Sequence, residues 1–69
     1  RGIYMMSILK ELDVVRLIKS FDDLKKGTQG TIVHKYDECN FEIEFIDGTG
    51  KTIDVVTTPK DVIELVLSY

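Results

Sequence analysis

The sequence predicts an all-β domain, a small antiparallel barrel of five strands. Its 69 residues leave room for one domain, residues 1–69, and 43% of them are apolar, which suffices for one compact core. Ile, Val and Thr together supply 21 residues, whereas Ala and Trp are absent. β-Branched side chains fit strands better than helices, and the apolar segments are short and separated by turn residues.

The first two predicted strands flank a loop that contains glycine. Residues 12–19 are rich in apolar β-branched side chains, and the adjacent apolar pairs there indicate a strand covered on both sides. Residues 20–30 predict the loop, in which Gly27 and Gly30 supply the positive-φ freedom of a sharp turn. Residues 31–36 then predict the second strand, which ends in a turn over 37–40.

The third predicted strand, residues 41–46, has the clearest alternation in the chain. Its apolar side chains point to one side and its carboxylates to the other: Phe41, Ile43 and Phe45 against Glu42 and Glu44. A three-residue loop over 48–50, with Gly50 left-handed, would pair this strand with residues 51–57. That register places Phe45 opposite Ile53. The predicted core is then Val15, Leu17, Val33, Phe41, Ile43, Phe45, Ile53 and Val55.

The two ends of the chain carry weaker signals. Thr58 and Pro59 suit the cap and first position of a short helix, followed over 64–67 by a fifth strand or the end of that helix. A helical turn is also expected over 7–11. Because a natural chain starts with Met, residues 1–6 are expected to be partly vector-derived or disordered.

Composition narrows the classes of partner. A net charge of −3 and a pI near 4.9 disfavour nucleic acid, which is normally bound by a basic patch. No apolar run approaches the roughly 18 residues of a membrane span, and no secretory signal is evident, so no membrane partner is expected. Cys39 is the one cysteine, which makes a reducing cytoplasm the simplest location.

No catalytic, metal or cofactor site is expected from the motifs. The GTGKT string at 48–52 lacks the first glycine of a phosphate-binding loop and precedes a strand rather than a helix. His34 and Cys39 are too few for a structural zinc site, even with Asp37 and Glu38 nearby. His34 shares a side with Ile43 if the 37–40 loop has four residues, whereas an odd loop or a bulge turns it to solvent.

Two surfaces are candidates for binding. The first is the outward side of the third and fourth strands, where Glu44 would oppose Asp54: Glu42, Glu44, Ile46, Asp54 and Val56. Such a surface would suit a basic protein partner. The second is a turn that could cradle phosphate or nucleic acid: Lys25, Lys26, Gly27 and Gly30.

The stretch from Leu12 to Leu65 resembles a family of small bacterial domains of unknown function. The resemblance rests on LDVVRL, LKKGTQGTIV, FEIEF and GKT, and the GTQGTIV turn is also similar to KOW-type modules and other SH3-like barrels. It implies a five-stranded SH3-like barrel without an established activity, and Lys35 departs from its pattern. The predicted function is a non-enzymatic module that binds a protein partner as an accessory, regulator or neutraliser. The alternative is a KOW-type nucleic-acid-binding module.

Overall fold

The computed structural model describes residues 8–69, which form five strands and one 3-10 turn. The elements are β1 (Val14–Leu17), β2 (Gln29–Lys35), β3 (Asn40–Ile46), β4 (Thr52–Pro59), the 3-10 turn (Lys60–Val62) and β5 (Ile63–Leu67). The all-β fold that the composition predicts is therefore confirmed. The expectations for residues 1–6 lie outside the described residues. Residues 8–10 have no helical structure, so the expected helical turn does not extend into the described part of 7–11.

The five strands form one antiparallel sheet in the order β4-β3-β2-β1-β5. In the described part of the chain, backbone pairing leaves β4 and β5 as the two edges, so the ladder itself is not closed into the expected barrel. Within residues 8–69 no α-helix covers either side of the sheet. The sheet therefore buries its apolar side by packing its own strands and loops around one core.

The core lies on the side of β3 that the alternation predicts. Five predicted core residues are buried, each no more than 1% exposed: Val15, Leu17, Phe41, Ile43 and Phe45. Ile32 is completely buried in β2, and the rest of the core comes from outside the strongest strand signals: Leu9, Leu24, Val62 and Ile63. Three predicted core residues are wrong, because Val33, Ile53 and Val55 are between 42% and 48% exposed.

Two β-bulges explain these errors. In β2, Ile32 pairs with Ile43 and His34 with Glu42, which leaves Val33 as an extra residue. In β4, Ile53 is the extra residue, because Thr52 pairs with Ile46 and Asp54 with Phe45. A bulge inserts one residue and so reverses the inward–outward alternation beyond it.

The tight turn between β3 and β4 has the predicted form. Asp47 donates its backbone N–H to the Lys51 carbonyl at 2.9 Å, which closes a three-residue loop over 48–50. Gly50 has a φ of +87°, as the left-handed position of this turn requires. The predicted register holds only at this turn. Beyond the bulge, Ile43 pairs with Val56 and not with Val55.

The segment after β4 is not a capped helix. Pro59 belongs to β4, and the 3-10 turn over Lys60–Val62 has no side-chain cap. Thr58 is buried and donates its hydroxyl to the Val56 carbonyl at 3.0 Å, so it cannot act as the predicted cap. The fifth strand, one of two expected outcomes for residues 64–67, is present as β5.

A buried carboxylate joins the start of β1 to the end of the chain. Asp13 is 1% exposed and accepts hydrogen bonds from the Lys10 ammonium at 2.7 Å and the Tyr69 backbone N–H at 2.9 Å. Burial raises the pKa of Asp13, but these bonds outweigh burial and leave the pKa below its usual value. Asp13 is therefore held as a carboxylate that ties together segments distant in sequence.

Candidate functional site

The predicted carboxylates lie on the outward side of β3, away from the core. Glu42 and Glu44 are half-buried and alternate with fully buried residues of the same strand. Each carboxylate accepts a hydroxyl hydrogen bond from β4: Glu42 from Thr57 at 2.7 Å, and Glu44 from Thr52. Among residues 8–69, neither carboxylate forms an ion pair. Two anions thus stand side by side with threonine hydroxyls as their polar partners.

Exposed valines flank the two carboxylates. Val55 pairs directly with Glu44 across the β3–β4 ladder and is 47% exposed. Val33 stands at the β2 bulge, beside the residue that pairs with Glu42, and is 42% exposed. We call the surface formed by Glu42, Glu44, Val33 and Val55 the acidic face. It combines negative charge with apolar contact area, as protein interfaces often do.

Two residues predicted for this surface are elsewhere. Val56 pairs with Ile43 and packs against the core, so its predicted outward position is wrong. Asp54 pairs with Phe45 and not with Glu44, so the predicted opposition of two carboxylates is wrong. The Asp54 carboxylate instead accepts the backbone N–H of Val55 at 2.8 Å. Ile46 lies on the outward side of β3, as predicted, beyond Glu44.

His34 borders the acidic face on the side of β2. It pairs with Glu42 across the ladder, and its Nδ1 lies 3.5 Å from the Glu11 carboxylate. The imidazole meets the Tyr36 ring edge-on, with the ring centroids 4.6 Å apart. The bulge in β2 turns His34 outward, which resolves the alternative that the sequence left open.

The predicted phosphate-binding turn around Lys25 and Lys26, called the lysine turn below, lies across an open groove from the β3–β4 turn. Lys25, Lys26 and Gly27 line one wall, residues 47–50 line the other, and the groove holds about 810 Å³. Asp47 stands in this groove, and hydrogen bonds from the hydroxyl and N–H of Thr49 lower the pKa of its carboxyl. The resulting negative charge opposes binding of phosphate between the two turns.

Gly27 and Gly30 have separate structural roles. Gly27 has a φ of +94°, the left-handed conformation predicted for this turn. Gly30 is buried in β2 without a positive φ, and a Cβ there would lie 2.6 Å from Ile43 Cγ2. Gly30 is therefore needed for close packing rather than for the turn, and it does not line the groove.

A second groove contains the cysteine. It is lined by apolar residues and by the start of the 3-10 turn: Ile18, Cys39, Asn40, Pro59, Lys60, Asp61 and Ile63. Cys39 is exposed, and its backbone N–H donates to the Asp37 carboxylate at 2.8 Å, which lowers the pKa of Asp37. Within residues 8–69, no three side chains of the metal-binding types come together.

The sequence missed the β4 side chains of the acidic face. Val55 stands opposite Glu44, where Asp54 was expected, and Thr57 stands opposite Glu42 in place of Val56. The adjacent valines at 55 and 56 were the available signal, because two neighbouring apolar residues leave the facing of a strand undetermined.

None of the helices in the described part of the chain is long and apolar enough to span a bilayer.

Comparison with known proteins places the chain in a family. The family model described as Domain of unknown function (DUF4926) matches residues 11–65, which is most of the chain. No curated protein and no solved structure matches the chain significantly. The match agrees with the resemblance to domains of unknown function, and it does not extend to the SH3-like or KOW type.

Proposed function

The chain belongs to the family Domain of unknown function (DUF4926), and we propose that it is a non-enzymatic module that binds a basic protein partner through the acidic face. One observation carries this proposal: Glu42 and Glu44 stand together without a cation among residues 8–69. Residues two apart on a strand are roughly 7 Å apart, so one Arg or Lys pair of a partner can reach both carboxylates.

The surroundings of these carboxylates favour a protein over a small ligand. Val33 and Val55 add exposed apolar area on either side of the charges, and no residue of the acidic face lines either of the two grooves described above. Charged groups of this kind speed the encounter with an oppositely charged protein, while apolar contacts supply much of the affinity. We further propose a cytoplasmic location, because the single cysteine, Cys39, is an exposed free thiol.

Association kinetics with a stoichiometric co-purified partner test this function. The double variant Glu42→Lys/Glu44→Lys should slow association by about tenfold or more at low salt and flatten its salt dependence. The matched control is Glu38→Lys/Asp61→Lys, which makes the same charge change at exposed sites outside the acidic face and removes only the surface ion pair of Glu38 with Lys35. Equal association rates for the wild type and the β3 variant would contradict the proposal.

The second candidate function is binding of phosphate or nucleic acid at the lysine turn. Lys25 and Lys26 favour it, because both line the groove and neither forms an ion pair among residues 8–69. Asp47 in the same groove opposes it. A salt-sensitive mobility shift with mixed nucleic acid, lost in Lys25→Gln/Lys26→Gln, would support this candidate over protein binding.

A further inference from the structure

The outer edge of β4, which pairs with no other strand among residues 8–69, lies directly beside the acidic face. Lys60 donates its N–H to the Cys39 carbonyl at 2.7 Å, which extends the β3–β4 ladder. This bond shows which opposed residues of the ladder are hydrogen-bonded pairs and which are not. Alternate residues of an antiparallel strand direct their backbone groups to the same edge. Like Lys60, Thr58 and Val56 therefore direct their backbone N–H and carbonyl groups toward β3. Val55 and Thr57 therefore direct their N–H and carbonyl groups away from β3, along the outer edge of the sheet.

The hydrogen bonds of Val55 and Thr57 agree with this outward direction of their backbone groups. The Val55 N–H donates to the carboxylate of Asp54, the preceding residue, instead of to β3. Among residues 8–69, the Thr57 N–H has no backbone acceptor outside the ladder. Pro59, which has no N–H, occupies the next outward position, where proline is tolerated at a sheet edge. The edge thus offers one open N–H, a second held by a side chain, and the carbonyls of both residues.

The composition of β4 leaves this edge poorly protected. Natural edge strands are usually short or carry lysine, proline or inward-pointing charges that prevent further pairing. β4 is the longest strand of the described sheet, with eight residues, and most of them are Thr, Val or Ile. The Asp54 carboxylate and the bulge at Ile53 protect its first half, and Pro59 blocks pairing at its last residue. The stretch between these features, from Val55 to Thr57, can accept another strand.

The charge beside the edge selects the occupant. An added strand would lie two strand spacings, roughly 10 Å, from β3. Between them stand Val55 and Thr57, whose short side chains allow an Arg or Lys to reach over β4 to Glu42 and Glu44. A second copy of the chain would instead bring the same carboxylates together at a net charge of −3 per copy. The charge therefore favours a cationic segment over self-pairing.

We propose that the outer edge of β4 binds an extended basic segment of the partner by strand addition, with its Arg or Lys side chains lying over the acidic face. This inference rests on the proposed function and specifies how the partner binds. Main-chain hydrogen bonds to Val55 and Thr57 would supply affinity, and alternate basic side chains would supply specificity. Asp54 would release the Val55 N–H when the segment pairs.

A synthetic peptide of alternating arginine and threonine tests the proposal with the isolated chain. The variant Thr57→Pro removes the open N–H, while the matched control Thr57→Val keeps it and loses the same hydroxyl bond to Glu42. Fluorescence anisotropy should show about tenfold weaker binding to Thr57→Pro than to Thr57→Val. In the wild type, bound peptide should slow hydrogen exchange at the Thr57 amide about tenfold, a measurement that does not depend on the proline variant folding.

Three results would overturn strand addition. These are equal peptide binding by the two Thr57 variants with unchanged exchange at the Thr57 amide, no peptide binding at all, and self-association of the chain through β4 in sedimentation. The proposed function fails by a different result, unchanged association of Glu42→Lys/Glu44→Lys with the co-purified partner. A third pattern separates the two proposals: the peptide binds Glu42→Gln/Glu44→Gln more weakly than the wild type, but it does not slow exchange at the Thr57 amide of the wild type. That pattern would support binding at the acidic face and exclude strand addition at the β4 edge.

Discussion

Replacing Gly30 by alanine should remove most of the stability of this domain. An added Cβ would lie 2.6 Å from Ile43 Cγ2, 2.8 Å from the Glu44 carbonyl oxygen and 3.0 Å from Phe45 Cδ1. The Ile43 and Phe45 side chains are completely buried, and the Glu44 oxygen belongs to the backbone of the neighbouring strand. None of the three can move aside cheaply, so β2 and β3 must separate.

The size of the effect follows from this crowding. Overpacking costs about 1–3 kcal/mol, and a clash with backbone belongs at the upper end of that range. A core of this size supplies about 3–5 kcal/mol of net stability, and each kcal/mol lowers the melting temperature by about 4–8 °C. Gly30→Ala should therefore melt roughly 10–25 °C below the wild type in thermal unfolding followed by circular dichroism.

Gly27 provides the matched control because its constraint is different. Nothing lies within 4 Å of a Cβ at Gly27, but its φ is +94°. Gly27→Ala should cost about 1–2 kcal/mol of backbone strain, and Gly27→Asn should cost less, since asparagine tolerates left-handed conformations. At Gly30 the order reverses, because asparagine is larger than alanine. The same order of Ala and Asn at both sites, or a Gly30→Ala variant as stable as the wild type, would refute the reasoning.

Three further predictions concern the core, the buried carboxylate and the acidic face. Phe45→Ala should cost about 3–5 kcal/mol in urea unfolding, whereas the exposed control Val55→Ala should cost less than about 1 kcal/mol; similar values would contradict the assigned facing. Asp13→Asn should cost about 1–3 kcal/mol at pH 7. Because the folded pKa of Asp13 is lowered, its contribution is fully present above the unfolded pKa of about 4 and is lost as the pH falls through the lower folded pKa. The gap between the urea midpoints should therefore narrow as the pH is lowered below about 4, and a gap independent of pH would exclude this role. Glu42→Gln/Glu44→Gln should melt within a few degrees of the wild type, since neither carboxylate belongs to the core, and a large loss of stability would contradict its use as a specific probe of binding.

The positions of the strands along the chain and half of the core could be predicted because they depend on local patterns. The alternation of β3 between Phe41 and Ile46 identifies its buried side without knowledge of any neighbour. The turn at Gly50 has chemistry that fixes its loop length. Leu9, Leu24 and Val62 were missed because they lie in a loop or a 3-10 turn, where burial depends on tertiary packing and has no periodic signal.

The candidate site was harder to predict because it depends on pairing between strands. Glu42, Glu44 and Ile46 were correctly placed from β3 alone. Asp54 and Val56 were wrong because their positions require the register of β4, which the bulge at Ile53 shifts by one residue. Asp13 gave no signal of burial, because its partner Tyr69 lies at the other end of the chain.

The two bulges that limited prediction also determine what the acidic face can bind. Without the bulge at Ile53, β4 would oppose Glu44 with Asp54, and the carboxylates would repel one another across the ladder. With the bulge, Val55 takes that position, and Asp54 moves to the free edge, where it accepts the Val55 N–H. The bulge in β2 likewise exposes Val33 beside Glu42 instead of burying it. One inserted residue in each neighbouring strand therefore converts a mutually repulsive acidic cluster into two carboxylates flanked by apolar surface. This arrangement leaves both anions available to a cationic partner without a large cost in stability to the free domain.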